Sequence, residues 1–251
     1  MKLFELYAGL GLDDSEFNKK VDQATSTGKR METGIKASTL AAGQLLANFA
    51  QKAITGVINL AKTGLEYNQQ MEDYTTNFTV MLGDAAKAAE KVQQLKEFAA
   101  STPFAMEDLA ASTQTLLAFG VESEKTQGIM KQLGDISLGN AEKFGRLSTA
   151  YGKANSMGKL TGETVQQMIE AGFNPLLLIS EKTGESMVDL QKRMSAGKVS
   201  VEELNGALET ATSTGGQFND GMKQASLTTS GLISTLKDNF TAMLGKLSQG
   251  F

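Results

Sequence analysis

The chain has 251 residues, of which 24 are Lys or Arg and 28 are Asp or Glu, so its formal net charge is −4. It contains no His and no Cys, which excludes Ser-His-Asp and Cys-His catalytic systems, zinc sites built from imidazole and thiolate, and disulfide bonds. The mildly acidic balance also lacks the basic excess with which nucleic-acid-binding proteins neutralise phosphates. We therefore expect no specific nucleic-acid binding, no cofactor and no metal.

The composition predicts an all-α fold. Only two prolines are present, and residues of high helix propensity such as Ala, Leu, Lys, Glu, Gln and Met are frequent. The 26 glycines interrupt helices. We expect multiple short helices that are broken by Gly or Pro.

Residues 1–27 are predicted to form an N-terminal arm and a first helix. Apolar residues alternate along residues 2–12, which is the period of a β-strand and predicts a short strand or extended arm. Asp13, followed three residues later by Glu16, is typical of a helix N-terminus. The arm is therefore expected to lead directly into a helix.

Residues 28–84 form the next predicted segment, which is helical and amphipathic. Its apolar residues recur at spacings of three and four, so they share one face of a helix. Residues 39–61 are the most hydrophobic part, but they include several amides and a lysine, whereas a membrane span needs about 20 predominantly apolar residues. Packing against a partner is the favoured interpretation, and the candidate packing face consists of Leu45, Leu46, Phe49, Ile54, Val57 and Ile58.

Residues 85–220 are predicted to form a helical module. A helix over about 85–100 should end at Ser101. Thr102 is predicted to cap the following helix, with Pro103 at its first position, where the missing N–H costs nothing. The module is therefore expected to begin with two helices separated by a tight break.

Capping residues predict further helices in this module. One helix should cover residues 140–157, and Thr161, Ser186 and Ser200 are expected to cap three others. Ser200 with Glu203 matches a capping box. These helices are predicted to be short because the caps follow one another closely.

Residues 158–163 and 197–202 are similar: each has Gly, Lys and an apolar residue followed by Thr or Ser. We interpret the similarity as one capping solution used twice, because a solenoid needs at least about three repeats. Residues 172–175 predict a turn before proline, and residues 214–218 predict a flexible joint. Residues 221–251 are expected to be a C-terminal helix that is apparently truncated.

Two kinds of catalytic or binding motif are excluded. Gly9-Leu10-Gly11 and Gly215-Gly216 do not complete a phosphate-binding loop. The adjacent carboxylates Asp13-Asp14 and Glu202-Glu203 lie at helix starts, where capping explains them, and neighbouring residues on a helix do not face each other. We therefore expect no enzyme; a carboxylate-based hydrolase would need two facing acidic groups in a cleft.

A set of stretches spread over nearly the whole chain gives a more specific indication. In chain order these are Leu3–Phe17, Tyr74–Gly83, Ala100–Leu109, Thr115–Gly120, Leu133–Asn140, Gly158–Leu160, Gln167–Leu176, Ala211–Phe218 and Ser234–Phe240. Together they closely resemble the N-terminal conserved region of tape measure proteins from long-tailed bacteriophages and prophages.

The resemblance implies a largely helical structural protein of the virion with no catalytic residues in this region. Such proteins are made in the host cytoplasm and occupy the lumen of the tail tube, where they template tube assembly, set tail length and leave before DNA ejection. The partners implied are the tail-tube protein, tail-tip or baseplate proteins and tail assembly chaperones. Self-association is also expected, with the host membrane as a further candidate partner during ejection.

The chain departs from the family in its length, since members commonly have many hundreds of residues. We expect a truncated protein, an excised module or the ruler of a short tail. An alternative function is a membrane-active tail protein that forms a channel for DNA through residues 39–61. Liposome leakage that Ile54→Asp and Val57→Asp together abolish would distinguish this alternative from helix packing.

Overall fold

The computed structural model describes residues 63–228 and 241–246, and within these residues the protein is all-α, as predicted. The described residues belong to two compact units: residues 71–228 lie in one, and residues 63–70 with 241–246 lie in the other. The predicted N-terminal strand, the first helix and residues 39–61 lie outside the described residues.

The helices of the described residues are named in chain order. They are α1 (63–82), α2 (Ala85–Ser101), α3 (Met106–Ala118), α4 (Ser123–Ser137), α5 (Ala141–Met157), α6 (Gly162–Glu170), α7 (Pro175–Thr183), α8 (Met187–Ser195), α9 (Val201–Thr212), α10 (Gly221–Ser226) and α11 (241–246).

Three of the predicted N-caps are confirmed by hydrogen bonds from the first turn of each helix. The side chains of Thr161, Ser186 and Ser200 each accept a bond from the backbone N–H three residues later. At Thr161 and Ser200 the bonds are reciprocal and complete capping boxes. Each cap satisfies a backbone donor that the helix itself leaves unpaired, so these helix starts are fixed locally.

The two similar stretches contact each other. Each begins with a glycine whose backbone is left-handed, Gly158 and Gly197, both with φ of 67°. The Leu160 N–H donates to the Val199 carbonyl at 2.9 Å, and the Val201 N–H donates to the Gly158 carbonyl at 3.3 Å. The repeated capping solution therefore also joins the α5–α6 connection to the α8–α9 connection as an antiparallel bridge.

The core of the 71–228 unit is centred on α3 and α5, which form its most extensive helix contact. The rings of Phe104 and Phe144 stack with their centroids 4.6 Å apart. Gly152 lets α5 approach the ring of Phe119, which a Cβ atom at that position would meet. Other fully buried core side chains are Leu109, Leu116, Met130, Leu133, Leu147, Leu160, Met168 and Leu190.

The predicted role of Thr102 is wrong. Helix α3 begins at Met106 after Ala105, which provides no side-chain cap. Thr102 instead ends α2, where its hydroxyl donates to the Phe98 carbonyl at 2.8 Å. The connection is longer than predicted because Phe104 has to reach the core, where it is 1% exposed.

Helix α10 is anchored on α4 by a buried carboxylate. Asp135 is 2% exposed, and its Oδ1 accepts a hydrogen bond from the buried Met222 N–H at 3.0 Å. Gly221 lies against the Asp135 carbonyl, leaving no room for a Cβ atom. In the predicted 221–251 segment, the described helices are thus α10, which ends at Ser226, and α11.

In the second unit, the described residues 63–70 of α1 contact α11. The Asn68 side-chain amide donates to the Gly245 carbonyl at 2.9 Å. Gly245 also lies against the Tyr67 ring, in a position that a larger residue would not fit. A glycine and an amide thus hold these two short segments together.

Candidate functional site

A groove of about 890 Å³ lies beside α7 and the end of α9. It is formed by two of the stretches that resemble tape measure proteins, one at the α6–α7 turn and the other after α9. Its lining residues are Gly172, Phe173, Asn174, Leu177, Leu178, Glu181, Lys182, Glu209, Thr210 and the loop 213–218. Two of the stretches that carry the resemblance therefore lie side by side and line the same groove.

The α6–α7 turn places its aromatic residue by capping and by a glycine. Gly172 has φ of 96°, which favours glycine, and it lets the Phe173 N–H return to the Met168 carbonyl at 2.8 Å. Asn174 then caps α7, accepting from the Leu176 N–H at 3.2 Å, and Pro175 occupies the first helical position. The turn predicted for residues 172–175 is confirmed.

The loop after α9 folds back on the helix that precedes it. Gly216 lies so close to the carbonyls of Thr210 and Ala211 that a Cβ atom would clash. The Phe218 N–H donates to the Ala211 carbonyl at 2.8 Å, and the Phe218 ring meets the Phe173 ring edge to face at 6.3 Å. The flexible joint predicted for residues 214–218 is thus a packed turn in the structure.

The groove is lined by both apolar and polar groups. Phe173 is buried in its floor, and Leu177 on α7 is 50% exposed. The charged lining residues Glu181, Lys182 and Glu209 are exposed. The half-exposed Leu177 among exposed polar groups suits contact with another macromolecule better than proton transfer, which needs acids and bases held in a water-poor site.

A second, smaller groove of about 540 Å³ lies between α5 and α6. Gly145 and Thr149 are among its lining residues. Lys153 bonds Glu163 at 2.8 Å across the two helices, and this pairing lowers the pKa of the exposed Glu163 carboxyl. We interpret the polar groups of this groove as surface pairs between neighbouring helices.

The carboxylates at the start of α9 serve the fold. Glu203 completes the Ser200 capping box and binds Arg193 through both oxygens, at 2.7 and 3.1 Å. Arg193 also bonds Glu185 at 2.9 Å. Burial raises the pKa of the Glu203 carboxyl, but hydrogen bonds from Arg193 and from the Ser200 N–H outweigh it, so the pKa is lowered overall. The predicted capping role is confirmed.

Lys91 is a buried cation that the sequence did not single out. It is 6% exposed, and its amine donates to the Ser123 carbonyl at 2.8 Å and to the Thr126 hydroxyl at 3.2 Å. Burial lowers the pKa of its amine. Both partners lie in the first turn of α4, so Lys91 joins α2 to α4 and acts as a structural residue.

The predicted packing face lies outside the described residues, and its role stays a prediction; its members are Leu45, Leu46, Phe49, Ile54, Val57 and Ile58. Among residues 63–228 and 241–246, no helix combines the length and hydrophobicity that a transmembrane span requires. In the same residues, no group of three or more acidic side chains is placed to hold a metal ion.

The sequence patterns did not predict that the rings of Phe173 and Phe218 contact each other, although both residues belong to stretches that carry the resemblance.

Comparison with known proteins identifies the family. The family model described as tape measure protein matches residues 62–249, about three quarters of the chain. No curated protein matches the chain, and no solved structure matches it. The matched range includes the 71–228 unit and both stretches that form the larger groove. Because the match covers well over half of its residues, the chain belongs to the tape measure protein family.

Proposed function

We propose that this protein templates assembly of a phage tail tube from inside the lumen, sets the length of the tube and leaves before the DNA is ejected. The observation that carries the proposal is the family match over residues 62–249, since tape measure proteins are structural components of phage tails. The proposal places the protein in the virion tail after its synthesis in the host cytoplasm.

The partners follow from this role. A protein that templates a tube must contact the tail-tube protein along its length and a tail-tip or baseplate protein at one end. Tail assembly chaperones and further copies of the chain are proposed to cover its apolar surfaces beforehand, because exposed apolar patches otherwise aggregate. The half-exposed Leu177 in the larger groove supports contacts of this kind, and the predicted 45–58 face is proposed for them as well.

Deleting the gene from the phage or prophage that encodes the chain tests the proposal. We expect particles without tails of defined length in electron micrographs of induced lysates, and restoration by the wild-type gene supplied in trans. Tails of normal and uniform length in the deletion strain would refute the proposed function. A strain lacking an unrelated gene controls for the manipulation.

A further inference from the structure

The helices of the 71–228 unit are terminated individually. Gly158 and Gly184, both with left-handed backbone, cap the ends of α5 and α7, and the left-handed Gly197 directly follows Ala196, the C-cap of α8. Side-chain caps begin α6, α8 and α9. Merging these helices into one long rod would lose every one of these caps, and each cap contributes about 1 kcal/mol.

Contacts between residues distant in sequence hold the unit closed. The Tyr151 hydroxyl donates to Asn205 at 2.8 Å, and Asp135 holds Met222 across 87 residues. Leu160 and Val199 are both fully buried where the two similar connections pair. A stretched chain could keep none of these contacts, because each requires the chain to return on itself.

The folded and stretched forms of these residues differ greatly in length. As a continuous helix that rises about 1.5 Å per residue, residues 71–228 would span about 240 Å. A compact chain of the same size has a radius of gyration of about 15 Å, which corresponds to a diameter of about 40 Å. Residues 71–228 are therefore about six times longer as a continuous helix than as a folded unit.

We propose, on the basis of the proposed function, that the 71–228 unit stays folded in the assembled tail and contributes only its folded diameter to the length of the tail. In this role the unit adds about 40 Å to the length and not the roughly 240 Å of a continuous helix. The burial and capping described above favour it, since extending the unit would expose its core and free its caps.

A reversible covalent lock tests the proposal. Lys159 and Ser200 form the antiparallel bridge, and the hydrogen bonds lie between their neighbours, so their Cα atoms should be about 4.5 Å apart. This separation suits a disulfide. Because the chain has no cysteine, the double variant Lys159→Cys with Ser200→Cys can form only this intramolecular bond. The cap lost at Ser200 is the same in the oxidised and the reduced protein.

Tails should be assembled with the oxidised and with the reduced double variant and measured by electron microscopy. We expect equal tail lengths in both states. If the unit extends, the lock removes the span between residues 159 and 200, so oxidised tails would be about 60 Å shorter, or would fail to form while reduced tails form. Either result would overturn the proposal.

A second measurement uses the wild-type protein, in case the double variant does not support assembly in either state. Hydrogen exchange of intact virions should show the amides of α5 and α9 as protected as in the free protein, because their caps and core are retained. Exchange of the Asn205 region in virions at least tenfold faster than in the free protein would contradict the proposal. The gene deletion tests the proposed function separately, since tails of normal length without the protein would refute that function whatever the disulfide does.

Discussion

Replacing Asp135 with Ala removes a buried anchor, and its cost can be worked from the structure. The Met222 N–H that donates a hydrogen bond to Asp135 is buried. The variant therefore leaves a buried backbone donor without a partner, which costs about 1–3 kcal/mol. Asp135→Ala also removes the ion pair with Lys131, whose side chain is 60% exposed against 2% for Asp135, but it leaves no buried charge behind, because the lysine is solvated. For a unit of this size, that loss lowers the melting temperature by about 3–10 °C.

Two matched variants separate the hydrogen bond from the charge. Asp135→Asn keeps an acceptor for the Met222 N–H, so we expect it to recover most of the stability that Asp135→Ala loses. Lys131→Ala keeps the Met222 N–H bond but leaves the buried carboxylate without its cation, so it should destabilise the unit without a local increase of exchange at Met222.

Circular dichroism of the purified chain during heating gives the melting temperatures, and hydrogen exchange of the peptide that contains Met222 gives a local measure. We expect faster exchange there in Asp135→Ala than in Asp135→Asn. The assigned role of the hydrogen bond would be refuted if Asp135→Ala melted at the wild-type temperature, or if exchange at Met222 were as fast in Lys131→Ala as in Asp135→Ala.

Two further predictions concern the same unit. Gly152→Ala should lower the free energy of unfolding by about 1–3 kcal/mol, because the added methyl group meets the Phe119 ring. Gly145→Ala lies in open space on the same helix and should raise the free energy of unfolding by about 0.5–1 kcal/mol. Thermal melts that show the same change for both variants would contradict this prediction. Glu203→Gln keeps the capping box but loses the charge paired with Arg193, costing about 1–2 kcal/mol near neutral pH. Because the pKa of Glu203 is lowered in the folded state, the stability difference between the wild type and Glu203→Gln should be constant above pH about 4.5 and disappear as the pH falls through the folded pKa. A stability difference that grew in acid would contradict a lowered pKa.

Several elements of the fold could be predicted because they depend on neighbouring residues. Thr161, Ser186 and Ser200 cap their helices through bonds that span three residues, and the turn at Pro175 follows from the proline ring itself. Thr102 shows the limit of such reasoning. Its hydroxyl can cap a following helix or close a preceding one, and the burial of Phe104 decided between the two.

The larger groove could not be predicted from local patterns. Phe173 and Phe218 are 45 positions apart, and nothing in the spacing of either stretch indicates that their rings meet. Gly216 illustrates the same point, since its neighbours in sequence suggest flexibility while its contacts with the Thr210 and Ala211 carbonyls require a residue without a side chain.

The amino-acid sequence by itself determined the all-α class, the helix starts at Thr161, Ser186 and Ser200 and the relationship to tape measure proteins, because composition, capping and motif order are properties of short stretches. Only the tertiary structure decided that the two similar connections pair with each other, that Asp135 holds Met222 and that two aromatic residues close one groove. Those contacts join residues far apart in the chain, and they depend on how the helices pack, which no local pattern specifies.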